Sequence, residues 1–288
     1  MTQEELLNVL SEHRISEGTF DFLDSIKFKK YDRESLDKFK RIAYINKNPK
    51  LMKKILESQY EMGFCTTYAL DINMHCSDWA RSLIQLNQRR KSVRKFAEVP
   101  LSLADISAFF QLCYTLTGQE ELNLDGTKLM RKRRNIASGG SLYPTELYLI
   151  NHRINEIPLG VYRYNVFHFN LELITTFDTP ADWANFYEII LKTPAASIDF
   201  ERASAFVVFT SILNKHSFKY QDFGVALSLV EVGACIHAAY LAAAALDIGC
   251  CAFGGFLNKE MHQLLALKNT LHQPLFCMAI GHQLKPEL

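Results

Sequence analysis

The sequence has no Gly-x-Gly-x-x-Gly fingerprint, no Walker loop, no His-Glu-x-x-His pair and no Gly-x-Ser-x-Gly elbow. Those absences remove the common routes to dinucleotide binding, phosphoryl transfer, zinc-dependent hydrolysis and serine-hydrolase chemistry. Cys-x-x-Cys is missing too, and seven cysteines are an odd number in a chain of 288 residues. Neither a disulfide framework nor structural zinc is therefore expected. The nine histidines are scattered, none at a ligand spacing with another His, Cys or Asp, so no metal site is expected. Net charge is almost absent: 32 Lys+Arg against 31 Asp+Glu leave +1, and no global field draws the chain to nucleic acid or to an anionic membrane. The opening residues MTQEELLNVLSEHR lack the apolar stretch of a signal peptide. A reducing cytoplasm is the expected compartment.

A hydrophobic fraction of 48% with 22% charged residues is that of a globular protein. The length suits two domains, or one large domain with an extension. Residues 1–80 read as a helical extension. Thr2 and Glu5 form a capping-box pattern before Leu6, Leu7 and Leu10; Leu36, Phe39, Ile42 and Ala43 repeat at helical spacing; Asn48-Pro49 opens a further helix. Residues 81–288 form the main domain, which begins on a basic stretch: residues 81–100 hold six basic side chains and one acid, a local +5. A helix is expected over 104–115 and a strand over 146–151. The alternation of Phe167, Phe169, Leu171 and Leu173 with polar residues predicts a half-buried strand. Residues 205–209 and 275–280 read as strands buried on both faces. Strands and helices do not alternate as regular βαβ units, so the fold class is α+β. The longest apolar run, Val225–Ile248, is interrupted by Glu231, His237 and Asp247, with only fifteen residues between the two acids, too few to span a bilayer. It reads as a helix buried on most sides, with His237 a hydrogen-bonded core residue.

Three short segments carry chemistry. In Arg90-Lys91-Ser92-Val93-Arg94, three cations and a hydroxyl stand within five residues. Guanidinium forks, an ammonium and a Ser hydroxyl all donate to phosphate oxygens, so the segment suits a phosphate monoester as well as it suits a solvated basic loop. Ala137-Ser138-Gly139-Gly140-Ser141-Leu142-Tyr143-Pro144 and Ala252-Phe253-Gly254-Gly255-Phe256 place paired glycines beside strands, where they permit either close backbone approach to a flat ligand or a turn. Together they suggest a nucleotide-like cofactor. The run Arg131–Arg134 is open between a solvated face and a contact to acidic peptide or nucleic acid. Cys250-Cys251 reads as two small buried side chains, since adjacent cysteines form a strained bridge.

In this order the segments resemble the FMN-dependent nitroreductase superfamily, over roughly residues 85–284. More narrowly they resemble its SagB-type dehydrogenases, the azoline oxidases of streptolysin-like and azole-microcin synthetases. That narrower likeness rests on SGGSLYP, on Gly160-Val-Tyr-Arg-Tyr, and on Lys219-Tyr220 standing twelve residues before Glu231-Val-Gly233 and the alanine-rich helix. The resemblance implies a central, mainly antiparallel sheet with surrounding helices in a domain-sharing homodimer with two FMN sites. Arg90, Lys91, Ser92 and Arg94 would hold the phosphate and ribityl end. Ser138, Gly139 and Gly140 would reach the ring from the partner subunit, and Gly254 and Gly255 would approach flavin N5. It implies oxidation of thiazolines or oxazolines in a precursor peptide, with dioxygen reoxidising the flavin, inside a complex with a cyclodehydratase. Where relatives have Tyr-Arg after the Lys-Tyr pair, this sequence has Val225-Ala226; Ala137 replaces a proline, and the C-terminal basic residues are reduced to Lys285.

Oxidising an azoline removes a hydride and a proton, and the flavin is no base for the carbon-bound proton. Lys219 and Tyr220 are the expected catalytic pair. Free phenols and ammonium groups lose their protons only near pH ~10, so one of them needs desolvation or its partner's charge to act near neutrality. Residues 216–224 are expected to form an irregular loop, because adjacent strand residues face opposite ways. Small residues at 226, 233, 234, 238, 239 and 242–245 suit close helix packing in a dimer. The alternatives keep the fold and change the substrate, to a carrier-bound azoline or cyclic imine or to a nitro or quinone compound reduced by a nicotinamide, or make the chain a flavin-binding scaffold.

Overall fold

The computed structural model describes residues 15–57, 66–70, 77–190 and 197–284. Local sequence signals set the helix starts. In α1 (Glu17–Ser25), α2 (Arg33–Asn46) and α4 (Asp78–Arg89), the side chains of Ser16, Asp32 and Ser77 each accept a backbone N–H of the first turn. In α3 (Pro49–Glu57), Asn48 does the same for Leu51 N at 3.1 Å, with proline at the first helical position. A reciprocal Ser102–Asp105 capping box opens α5 (Leu103–Cys113). The Thr2–Glu5 pattern lies outside the described residues.

Six strands form one antiparallel sheet in the order β5-β4-β3-β6-β8-β7: β3 (Thr145–Asn151), β4 (Gly160–Asn165), β5 (Asn170–Thr176), β6 (Ala205–Ile212), β7 (Ile248–Phe253) and β8 (His272–His282). The strand period of two divides the core. Leu147, Leu149, Val207, Phe209, Met278 and Ile280 face α5 and α8 (Asp222–Ala245). Tyr148, Ile150, Phe206, Val208, Cys277 and Ala279 face the opposite side, with α6 (Pro180–Ile189) and α9 (Asn258–Leu264). Burial on both faces explains the uninterrupted apolar runs in β6 and β8.

Several expectations are corrected. Residues 167–169 are not strand: Asn165 Oδ1 accepts Phe167 N and His168 N at 3.0 and 3.2 Å, Phe169 takes φ 50°, and β5 starts at Asn170. The Asn side chain builds a local turn that outweighs the apolar alternation. The basic run lies in a separate hairpin of β1 (Leu116–Leu124) and β2 (Thr127–Arg134), turning at Asp125-Gly126, both at positive φ. Arg131 and Arg133 pair there with Glu120, and Lys128 with Glu121 at 2.9 Å. Residues 216–224 are helical rather than looped: α7 (Leu213–Tyr220) meets α8 at Gln221, whose φ 52° and ψ −135° separate the two helices.

By length and composition α8 could cross a membrane, but it packs inside this fold against α5, β6 and the Gly139 turn. It is less buried than expected. Phe223 and Val230 are 64% and 70% exposed, and Ala226, Gly233, Ala234 and His237 lie open on the same stripe. His237 is thus no core residue, while Ala239, Ala242 and Ala243 pack into the chain's own core. Beside the stripe, α4 leaves Trp79, Leu83 and Ile84 exposed. The N-terminal helices are tied to this body: Asp222 Oδ1 accepts Ser16 N at 2.8 Å, and Phe28 bridges to Leu257.

Candidate active site

The predicted site residues gather in two groups. In the first, residues 90–94 leave α4 extended along β7, where Val93 N donates to Cys250 O at 2.8 Å. The approach needs a glycine opposite, because a Cβ on Gly249 would come within 2.7 Å of Val93 Cγ1. Ser92 Oγ lies 3.1 Å from Tyr240 Oη, the same hydroxyl accepts Ala252 N at 2.9 Å, and the Arg90 guanidinium stands 5.5 Å from the Tyr240 ring centroid. Tyr240 therefore joins the cationic segment to the strand that leads into Gly254 and Gly255. No sequence motif marked it, since it stands among the alanines of α8. Among the described residues no carboxylate pairs with Arg90, Lys91 or Arg94. Burial pushes the Cys250 thiol up to about 12 and raises that of Cys251, the latter against the pull of Arg94. Both cysteines are free and buried, as expected, and neither is poised as a thiolate.

In the second group the turn 138–144 lies on the α7–α8 junction. Ser138 Oγ accepts Tyr143 N at 2.9 Å. Gly140 adopts φ 62°, and a Cβ there would lie 2.8 Å from Tyr220 Oη and 3.2 Å from Lys219 Nζ. Lys219 and Tyr220, adjacent in sequence, thus converge on one backbone position, with Nζ 5.2 Å from the Tyr220 ring centroid. They do so from the last turn of a helix, which the break at Gln221 ends. Thr145, just past the turn, has its carbonyl held by Tyr114 Oη at 2.8 Å and by Arg134, whose guanidinium stacks 4.9 Å from the Tyr114 and Tyr143 rings. His216 and Glu231 lie buried beneath and were not singled out as site residues.

One chain does not unite the groups. Leu227, which packs on Gly139, and Tyr240, which meets Ser92, are thirteen residues apart on α8, about 20 Å along the axis at about 1.5 Å per residue.

The nitroreductase family model matches residues 88–282, a span holding both groups. The chain belongs to the nitroreductase family. Among relatives, the MJ1384 protein of Methanocaldococcus jannaschii, provisionally named a nitroreductase, is 24% identical over 197 residues, 68% of this chain and 89% of that one. A chain of the E. coli microcin synthetase McbBCD complex with truncated pro-MccB17 bound has 19% identity and a TM-score of 0.65, over 99% of this chain and 98% of that one. A chain from Anabaena variabilis ATCC 29413, also provisionally named a nitroreductase, has 20% identity and a TM-score of 0.54 over 62% of this chain; the match spans 34% of that longer chain. These likenesses establish the α+β nitroreductase-type fold and a family of oxidoreductases. The family typically uses flavin, and the donor set here fits FMN: three cations without carboxylate partners among the described residues and a serine hydroxyl suit the phosphate, while Gly140 leaves its backbone open beside Lys219 and Tyr220.

Proposed function

We propose that this nitroreductase-family chain is an FMN-dependent dehydrogenase that oxidises thiazolines or oxazolines of a precursor peptide to thiazoles or oxazoles. The observation that carries the reading is the convergence of Lys219 Nζ and Tyr220 Oη on Gly140. Removing hydrogen from a ring carbon needs a base beside the electron acceptor, and the nearness of this ammonium and phenol to one exposed backbone position supports that role. Arg90, Lys91 and Arg94 bind the phosphate, with Ser92, held at Tyr240, donating beside them. Gly254 and Gly255 let the backbone approach the ring. When bound there, FMN would supply the two-electron acceptor, with dioxygen as the final oxidant. Lys219 and Tyr220 take the proton from the carbon next to the carbonyl.

The working unit in this reading is a homodimer. The two residue groups lie about 20 Å apart along one helix, and the open apolar stripe of α8 beside Trp79 and Leu83 of α4 suits a second copy. A peptide substrate would bring the enzyme beside a cyclodehydratase, which makes azolines; the likeness to a chain of the microcin synthetase complex, over 98% of that chain, supports that setting.

The test is azole formation and dioxygen uptake by the FMN-loaded protein given an azoline peptide, followed by mass as the loss of two hydrogens. Turnover is expected, together with its loss in Lys219→Ala and Tyr220→Phe variants of parental flavin content. Nicotinamide-driven nitro or quinone reduction without azoline turnover would overturn the reading in favour of a reductase. Bound flavin with neither activity would make the chain a scaffold.

A further inference from the structure

Beneath the turn 138–144 runs a chain of buried contacts that touches neither Lys219 Nζ nor Tyr220 Oη. His216, on α7, is fully buried; its Nε2 lies 3.1 Å from Gly139 O and its Nδ1 3.0 Å from Ser228 Oγ. Ser228 Oγ donates its one proton to Gly224 O at 2.9 Å. A Cβ on Gly224 would come within 2.5 Å of the His216 backbone, so α8 begins directly against this residue. A carbonyl oxygen only accepts, and the Gly139 bond therefore requires the proton on Nε2. Burial lowers the pKa of His216 below the ordinary histidine value, against the opposing influence of Glu231. The ring is then neutral with one proton, and Ser228 Oγ, whose own proton goes to Gly224 O, faces Nδ1 as an acceptor that competes with Gly139 O for that proton.

Glu231 completes the chain. It is buried on α8, and its Oε1 accepts Thr145 N at 3.2 Å. Its Oε2 has no hydrogen-bond partner among the described residues and lies 3.9 Å from His216 Nε2. Lys215 from α7, Tyr114 at the end of α5 and Cys235 from α8 also feel this charge, and Arg134 at the end of β2 lies against Tyr114. A carboxylate oxygen that faces an imidazole nitrogen favours the tautomer carrying its proton there.

We propose that Glu231 and His216 are positioning residues of the reacting site. The unpaired Oε2 selects the Nε2–H tautomer, the Nε2–H holds the Gly139 carbonyl, and the held carbonyl keeps Gly140 against Lys219 Nζ and Tyr220 Oη. The consequence for turnover rests on the dehydrogenase reading; the tautomer and its dependence on Glu231 do not.

The test combines nitrogen-15 NMR of histidine-labelled, FMN-loaded protein with steady-state azoline oxidation. The parent should show His216 protonated on Nε2. Glu231→Gln keeps an acceptor for Thr145 N but puts an amide where the free oxygen stood. It should move the His216 proton toward Nδ1 and lower kcat on the order of 10–100-fold, the loss that misplacement by about 1 Å brings, with little change in KM. His216→Gln, which retains an N–H for Gly139 O, should recover most of the rate that His216→Phe loses. A pair that only ties α7 to α8 would lower the melting temperature in these variants and leave kcat and the tautomer alone. That result overturns the proposal, as does a parent without a proton on Nε2, or His216→Phe as active as His216→Gln. Should Glu231→Gln not fold, Ser228→Ala, which removes the competing acceptor at Nδ1, should keep the His216 proton on Nε2 with kcat near the parent's, and loss of the Nε2 proton in that variant is equally decisive. A parent inert toward azolines would sink the dehydrogenase reading while the resting-state spectra still judge the positioning chain.

Discussion

The two halves of the candidate site are built on opposite principles. Residues 90–94 form a short, contiguous, partly exposed cationic segment whose backbone follows β7 and whose side chains find few protein partners. The turn 138–144 and Thr145 after it carry no charge, but their atoms are held by side chains from α7, α8, β2 and the end of α5, some as far as 86 residues away. The first half presents charge for something else to satisfy. The second holds geometry. Unpaired cations supply affinity for a phosphate, whereas placing a base beside a reacting carbon demands rigid, mutually supported contacts.

The strongest way to break the comparison is to stop the halves from meeting. Val230→Arg puts a charge on the open stripe of α8, where burial without a partner costs about 3–5 kcal/mol. Sedimentation at micromolar concentration should shift from dimer to monomer, and azoline turnover should disappear with it; a fully active dimer would refute the shared-site arrangement. Next in size is Gly140→Ala, which combines an unfavourable φ with a Cβ only 2.8 Å from Tyr220 Oη. Turnover should fall about 100-fold while flavin content, read from the visible spectrum, stays near the parent's. Arg90→Ala and Arg94→Ala should do the reverse. Each removes a charge-assisted bond of about 1.5–3 kcal/mol, so equilibrium dialysis should show at least about tenfold weaker FMN binding per substitution, with kcat at saturating FMN nearly kept.

Acid should sharpen the contrast by a smaller amount. Burial lowers the pKa of His216 beneath the turn and takes His272, on β8, down to about 4. The unfolded chain therefore binds protons first, and stability is full above the ordinary histidine value of about 6.5. It falls as the pH drops from there toward 4, by on the order of 2 kcal/mol at pH 5 for His272. Among the described residues no histidine with a lowered pKa contacts residues 90–94. Hydrogen exchange at pH 5 should open β8 and the α7–α8 junction before the segment along β7, and His272→Gln should flatten the acid limb of the stability curve.

Much of this protein was decided by residues close in sequence. Ser102 with Asp105, and Asn48 with Pro49, start their helices whatever lies around them. The apolar runs of β6 and β8 announce strands covered on both faces, and three cations within five residues carry their phosphate chemistry wherever the chain places them. Other features were not legible. The alternation in 167–173 was overruled by the Asn165 side chain, and the alanines of α8 look alike whether they meet the core, as Ala239 does, or stand open, as Ala234 does. Only tertiary packing brought Lys219 and Tyr220 onto Gly140, set His216 under Gly139 and Glu231 beside Thr145, and joined Tyr240 to Ser92. The physical reason is range. Periodicity, capping and local charge are properties of a few consecutive residues, whereas a contact between residues about 80 positions apart depends on how finished helices and sheets pack, and no local pattern records it.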